Sequence, residues 1–178
     1  MFLKFPLVYL PPRMREKIIH KAADMFITLG FKSVTMDDIA TAMGISKKTI
    51  YAHFKNKTDL VKEATLALFH VISHGIDCIS DQDNNPIEEL YAIKKFVMMH
   101  LKDERSSPQY QLQKYYPEIS KTLKGLQFDK MQECTLRNLR KGVAQGLYRE
   151  QLDIEFVSRI YFIGVNGMKD DNLFPSQH

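Results

Sequence analysis

The polar side chains between residues 46 and 57 are the part of this sequence best suited to recognising a charged partner. The segment SKKTIYAHFKNK carries four lysines and no Asp or Glu. Lysine ammonium groups donate hydrogen bonds to phosphate oxygens and to guanine O6 and N7, and hydroxyl and imidazole groups can hold a phosphate beside them. A solvated helix usually mixes both signs of charge, so this composition indicates a polyanion partner.

Local signals predict two short helices that position these side chains. Thr35 with Asp38 three residues later predicts a capping box, and Gly44 predicts a left-handed helix end. Ser46 is expected to cap a second helix over residues 47–54, in which Ile50 and Phe54 face inward. Helix, short turn with Gly and helix is the pattern of a helix-turn-helix motif, whose second helix can enter the major groove of DNA.

The segment from Met14 to Leu60 resembles the DNA-binding domain of the tetracycline-repressor (TetR) family of bacterial regulators. The resemblance rests on RXXIIXXAAXXFXXXGF from Arg15 to Phe31, TMDDIA, and MGISKKTIYAHFKNKTDL, and it covers about a quarter of the chain. It implies that side chains between residues 46 and 57 read bases and bind phosphates, and that Ala52 lies at a position that can touch a base. The DNA-binding residues implied in this way are Thr35, Lys47, Lys48, Thr49, Tyr51, His53 and Lys57.

Charge supports a nucleic-acid partner for the first part of the chain alone. Residues 13–62 contain ten Lys/Arg against five Asp/Glu, a net charge of +5, whereas residues 63–178 contain fourteen against sixteen, a net charge of −2. Cys78 and Cys134 are far apart and lack metal-ligand spacing, which favours a reduced cytoplasmic protein with no metal and no cofactor. The longest apolar runs are too short to predict a membrane span.

Helical periodicity without strand alternation predicts an all-α protein. Residues 1–13 form an N-terminal extension, with Met14 as an alternative start; residues 14–60 form a three-helix DNA-binding domain; and residues 61–178 form a helical effector-binding and dimerisation domain. Helices are predicted at 15–29, 57–80, 86–104, 118–145 and 153–164, with a short one before Pro117. Family members commonly pair two C-terminal helices in a homodimer, and here the last helix is predicted to be incomplete.

The second half is rich in Met, Tyr and Phe, which is ordinary core composition but also suits a pocket for a small hydrophobic or amphipathic effector. In the family this half holds such a pocket, and the residues expected to line it are Met99, Tyr110, Tyr115 and Cys134. The resemblance then implies a homodimeric repressor that an unknown effector releases from a palindromic operator.

Other classes of function fit the sequence less well. Catalysis is not expected, because the sequence offers no nucleophile–base motif, no Gly-rich phosphate loop and no metal-ligand spacing. A DNA-binding module without a small-molecule effector remains an alternative, which a closed apolar cavity in the second half would argue against. A third possibility is a chain that dimerises poorly and binds DNA weakly.

Overall fold

A computed structural model describes residues 13–82, 84–101 and 108–167. Over these residues the protein consists of eight α-helices without a strand, which confirms the all-α prediction. The helices are α1 Met14–Leu29, α2 Met36–Met43, α3 Lys47–Tyr51, α4 Lys57–Ser80, α5 Pro86–Leu101, α6 Pro108–Tyr115, α7 Pro117–Ala144 and α8 Ile154–Gly167. None of these helices is both long and apolar enough to cross a bilayer.

The chain divides into two compact units between Leu68 and Phe69, so that residues of α4 belong to both. The core of the first unit is built from one face of each of α1 to α4, as the helical spacing of apolar residues predicted. Its fully buried side chains include Ile18, Ala22, Phe26, Val34, Ile39, Ile50, Leu60 and Val61. Phe26 and Phe31 stack with ring centroids 5.2 Å apart, which closes the turn after α1.

In the second unit α7 packs against α5, α6 and α8. Phe128 of α7 meets Phe162 of α8 edge to face, with ring centroids 4.8 Å apart. Gly75 lies inside α4 without ending it. Its missing side chain leaves room for the ring of Phe96. Lys130 of α7 forms a partly buried ion pair with Asp77 of α4.

Four predictions about the elements need correction or lie outside the described residues. The recognition helix was predicted to reach residue 54 but ends at Tyr51, where the chain turns to bury Phe54. Helix α5 was expected to be buried around most of its circumference, yet Tyr91 and Met98 are 71% and 63% exposed. Most of the break expected at 105–108 lies outside the described residues. The irregular tail expected at 168–178 lies entirely outside them.

Candidate nucleic-acid interface

The start of α2 is fixed by the predicted capping box. The Asp38 amide donates to the Thr35 hydroxyl over 3.2 Å, and the Thr35 amide donates to the Asp38 carboxylate over 2.8 Å. The Thr35 hydroxyl also donates to that carboxylate over 2.8 Å, and the two bonds that the carboxylate accepts from Thr35 hold the pKa of Asp38 below its ordinary value. Thr35 is exposed, so its helix end is accessible to an anion as well as capped.

A tight turn between α2 and α3 then sets the direction of α3. Gly44 adopts φ 64° and ψ 31°, a left-handed conformation that a residue with a Cβ rarely adopts, and the next amide, of Ile45, returns to the Ala40 carbonyl over 3.0 Å. The Ser46 hydroxyl accepts a hydrogen bond from the Thr49 amide over 3.1 Å. The predicted start of the recognition helix is therefore confirmed, with Lys47 as its first residue.

Lys47 is paired across the motif with an acid of α2. Its ammonium donates to the Asp37 carboxylate over 2.6 Å, and both side chains are about half exposed or more, at 49% and 62%. The hydrogen bond that Lys47 donates to Asp37 raises the pKa of Lys47. The pair links the starts of α2 and α3, and it holds a predicted DNA-binding ammonium at the protein surface before any DNA is present.

The other predicted recognition residues lie outside the core. Lys48, Ala52 and His53 are exposed, and the Tyr51 ring is 46% exposed. Thr49 is half-buried, and its hydroxyl lies 2.8 Å from that of Ser46. Ile50 is fully buried between these positions, so one short helix separates a core-facing side chain from a polar surface. We call Lys47, Lys48, Thr49, Tyr51 and His53 the recognition surface.

Lys57 differs from the other predicted DNA-binding residues because its ammonium donates hydrogen bonds to the main chain of the protein. It donates to the main-chain carbonyl of Phe31 over 2.6 Å and to that of Lys32 over 3.3 Å. Burial lowers the pKa of this lysine, and the charge of Asp38 partly opposes that shift. In this structure Lys57 thus fastens the start of α4 to the turn after α1. Its binding of phosphate stays a prediction.

Sequence reasoning missed two residues that brace this site. Asp37 was not singled out, because nothing in a ten-residue separation marks it as the partner of Lys47. The Arg15 guanidinium lies 5.2 Å from the centre of the Phe54 ring and 3.0 Å from the Glu63 carboxylate. Arg15 therefore ties α1 to α4 beside Phe54.

The residues predicted to line an effector pocket lie in the second unit. Met99 and Tyr110 are each 61% exposed, Tyr115 is 39% exposed, and Cys134 is buried. Burial raises the pKa of the Cys134 thiol, as expected of an inert core cysteine. Three of the four predicted contacts are thus exposed, and the pocket stays a prediction. Among the described residues, no group of three His, Cys, Asp or Glu side chains is placed to hold a metal ion.

Comparison with known proteins places the motif in a family. Residues 18–64 match the family model of bacterial regulatory proteins, tetR family. The chain is 29% identical over 157 residues to the HTH-type transcriptional repressor KstR2 of Mycolicibacterium smegmatis, covering 84% of this chain and 74% of that protein. Over 78 residues it is 31% identical to IcaR of Staphylococcus aureus strain Newman, the HTH-type negative transcriptional regulator of the biofilm operon icaADBC. That match covers 44% of this chain and 42% of IcaR.

Similarity of fold extends beyond the motif. The crystal structure of the TetR family transcriptional regulator PfmR from Thermus thermophilus matches with a TM-score of 0.61 at 24% identity, over 91% of this chain and 88% of that one. The match therefore includes helices of both units. Residues 18–64 therefore form a DNA-binding domain of the TetR family of bacterial regulatory proteins, and the protein is a DNA-binding transcriptional regulator.

Proposed function

We propose that this regulator is a repressor and that the recognition surface reads its operator. The observation that carries the proposal is the pair of exposed lysines at the start of α3, which two caps and the Gly44 turn hold in place. KstR2 and IcaR, both named as repressors or negative regulators, support the direction of control. Lysines at such a position donate to base edges or phosphates, while the caps keep the helix start rigid.

The acting species in this proposal is a homodimer joined through α8. Phe156, Ile160 and Ile163 follow one another at helical spacing and are 62%, 50% and 63% exposed. An apolar stripe of this kind is suited to pairing with a second copy of the same helix. Two recognition surfaces would then enter successive major grooves about 34–36 Å apart on a palindromic operator.

The second unit, in this proposal, binds a small hydrophobic or amphipathic effector that weakens operator binding. Met99, Tyr110, Tyr115 and Cys134 remain the proposed contacts, and α4, which has residues in both units, is the proposed route of coupling. Linkage then requires operator DNA to weaken effector binding by the same factor. An effector that binds without changing operator affinity would contradict this part of the proposal.

A second candidate is the same DNA-binding protein without a small-molecule effector. It is favoured by the exposure of Met99 and Tyr110, since side chains that line a closed pocket are expected to be buried. We retain residues 14–60 as the DNA-binding domain, residues 61–178 as the effector-binding and dimerisation domain, residues 1–13 as an N-terminal extension, and the cytoplasm as the proposed location.

Transcription in vitro tests the direction of control. Genomic fragments of the source organism that the purified protein retains would be sequenced and used as templates with bacterial RNA polymerase. We expect transcript from a retained promoter to fall as the protein is added. Increased transcript would identify an activator, and the absence of any specifically retained fragment would contradict operator binding.

A further inference from the structure

A buried polar network connects three parts of the second unit. The Asn138 side-chain amide of α7 donates to the Pro86 carbonyl over 2.8 Å and to the Glu89 carboxylate over 3.0 Å, both at the start of α5. The Tyr148 hydroxyl, beyond the end of α7, donates to the Asn138 side-chain oxygen over 3.1 Å. Glu89 and Asn138 are each only 1% exposed, so these hydrogen bonds are costly to lose.

Tyr148 is held in this network by its main chain as well as by its hydroxyl. Its amide donates to the Gly142 carbonyl over 3.0 Å, and the Leu147 amide donates to the same oxygen over 2.9 Å. The turn between them passes through Gly146 at φ 69°. The Tyr148 ring then covers Gly142 so closely that a Cβ at residue 142 would overlap it. The Tyr148 ring thus packs on a buried glycine in the last part of α7.

Tyr148 lies five residues before Asp153, the cap of α8. The Asp153 carboxylate accepts from the Phe156 amide over 3.0 Å and starts the helix. Arg140 and Glu155 also connect α7 to α8, but they are 3.7 Å apart and more than half exposed, so that pair constrains little. At the other end of α8, Phe162 packs on Phe128. Tyr148 is half-buried, and its hydroxyl and main chain therefore anchor the segment that leads from α7 into α8.

We propose that Tyr148, seated on Gly142 and hydrogen-bonded to Asn138, is a positioning residue that sets the start of α8 and so presents Phe156 and Ile160 to a second copy of the chain. This role rests on the proposed dimer. The network also reaches the start of α5 through Glu89, so a displacement of α5 would alter the same interface.

Two glycines of α7 allow a matched test. Gly142→Ala places a methyl group where the Tyr148 ring lies, whereas Gly125→Ala adds the same group where the structure has nothing within 4 Å. Both changes favour helix in α7, so helix content measured by circular dichroism should not fall in either variant. Tyr148→Phe removes only the hydroxyl. Dimer Kd is measured for each full-length variant by sedimentation at several concentrations.

We expect Tyr148→Phe to raise the dimer Kd about three- to tenfold, the effect of one lost hydrogen bond, and Gly142→Ala to raise it more. Gly125→Ala should leave it unchanged. A role in positioning also predicts coupling: Phe156→Ala should weaken the dimer less in the Tyr148→Phe background than in the wild type. A purely structural tyrosine would give additive effects.

Each other result overturns the inference. A wild-type dimer whose Kd is unchanged by Tyr148→Phe and Gly142→Ala would refute the positioning role and leave the proposed function intact. Additive effects, or a loss of dimer that only follows a loss of folded protein, would do the same. A wild-type chain that stays monomeric at every concentration would refute the dimer itself, and with it this role for Tyr148.

Discussion

The ammonium of Lys47 lies 2.6 Å from the carboxylate of Asp37, so the first lysine of the recognition helix already has a partner in the free protein. The pair spans the two helices of the motif. An acid at this place both orders the lysine and competes with DNA for it, because a phosphate or a base acceptor must take over the same donor.

Asp37→Asn is therefore expected to strengthen DNA binding. The change removes a competing acceptor and a negative charge near the DNA, and the gain should reach up to about fivefold at low salt, as for other exposed ion pairs. Fluorescence anisotropy with a labelled operator measures it. Asp129→Asn, an exposed acid of α7, serves as the control that makes the same change in net charge. Weaker binding by Asp37→Asn would show that ordering of Lys47 outweighs competition.

Lys48→Ala should separate phosphate contact from base contact. If Lys48 neutralises a phosphate, affinity falls for every sequence, and the slope of log K against log salt becomes shallower by about 0.9. If it donates to a guanine, preference at one operator position falls instead, by about 1–3 kcal/mol. Lys94→Ala, at an exposed lysine of α5, is the matched control. No change in either quantity would remove Lys48 from the interface.

The capping box should make the first unit sensitive to acid. Hydrogen bonds from Thr35 lower the pKa of Asp38 in the folded protein, so their stabilisation is fully present above the ordinary aspartate pKa of about 4. It is lost as pH falls through the lower, folded-state pKa. Thermal melting of wild type and Asp38→Asn between pH 6 and pH 2 tests this. The difference in Tm should shrink towards acid, and a constant difference would contradict the assignment.

Lys57→Met tests whether this lysine is structural. Two main-chain carbonyls lose a charged donor, and the free energy of unfolding of the first unit should fall by about 1–3 kcal/mol. Operator affinity of the folded fraction should change little if Lys57 serves only the turn after α1. Lys62→Met, at an exposed lysine of the same helix, is the comparison. Unchanged stability with weaker operator binding would instead support the phosphate role that the family resemblance implies.

Ile160→Asp should disrupt the dimer. A charge placed in the apolar stripe of α8 would be buried on pairing, and the dimer Kd should rise by more than about tenfold. Met98→Asp puts the same charge on the exposed face of α5, which is not part of the proposed interface. Sedimentation equilibrium distinguishes the two variants. Equal behaviour of both would argue against α8 as the dimer helix.

Local signals predicted the recognition motif closely because its geometry is decided over a few residues. Thr35, Gly44 and Ser46 each act on their own helix end, through a hydroxyl acceptor or a left-handed φ. The pairing of Lys47 with Asp37 and the use of Lys57 on the Phe31 carbonyl depend on how helices pack, which local spacing does not encode. For the same reason the sequence did not show that Tyr148 would lie on Gly142.

The predicted effector residues show a different limit. An abundance of Met and Tyr indicates large side chains available to line a cavity, but helix placement decides whether they enclose one. Met99 and Tyr110 are exposed, whereas Cys134 is buried in α7. Composition therefore indicated which half of the chain is rich in large side chains, without indicating which faces of its helices are covered.

Selection from a library of random DNA duplexes is the direct test of operator recognition. The full-length protein is mixed with the library at two salt concentrations, and the retained duplexes are sequenced. We expect a palindrome whose half-sites lie about one helical turn apart, with affinity that falls steeply with salt. If retention depends on salt but the retained duplexes share no sequence, operator recognition by the recognition surface would be contradicted.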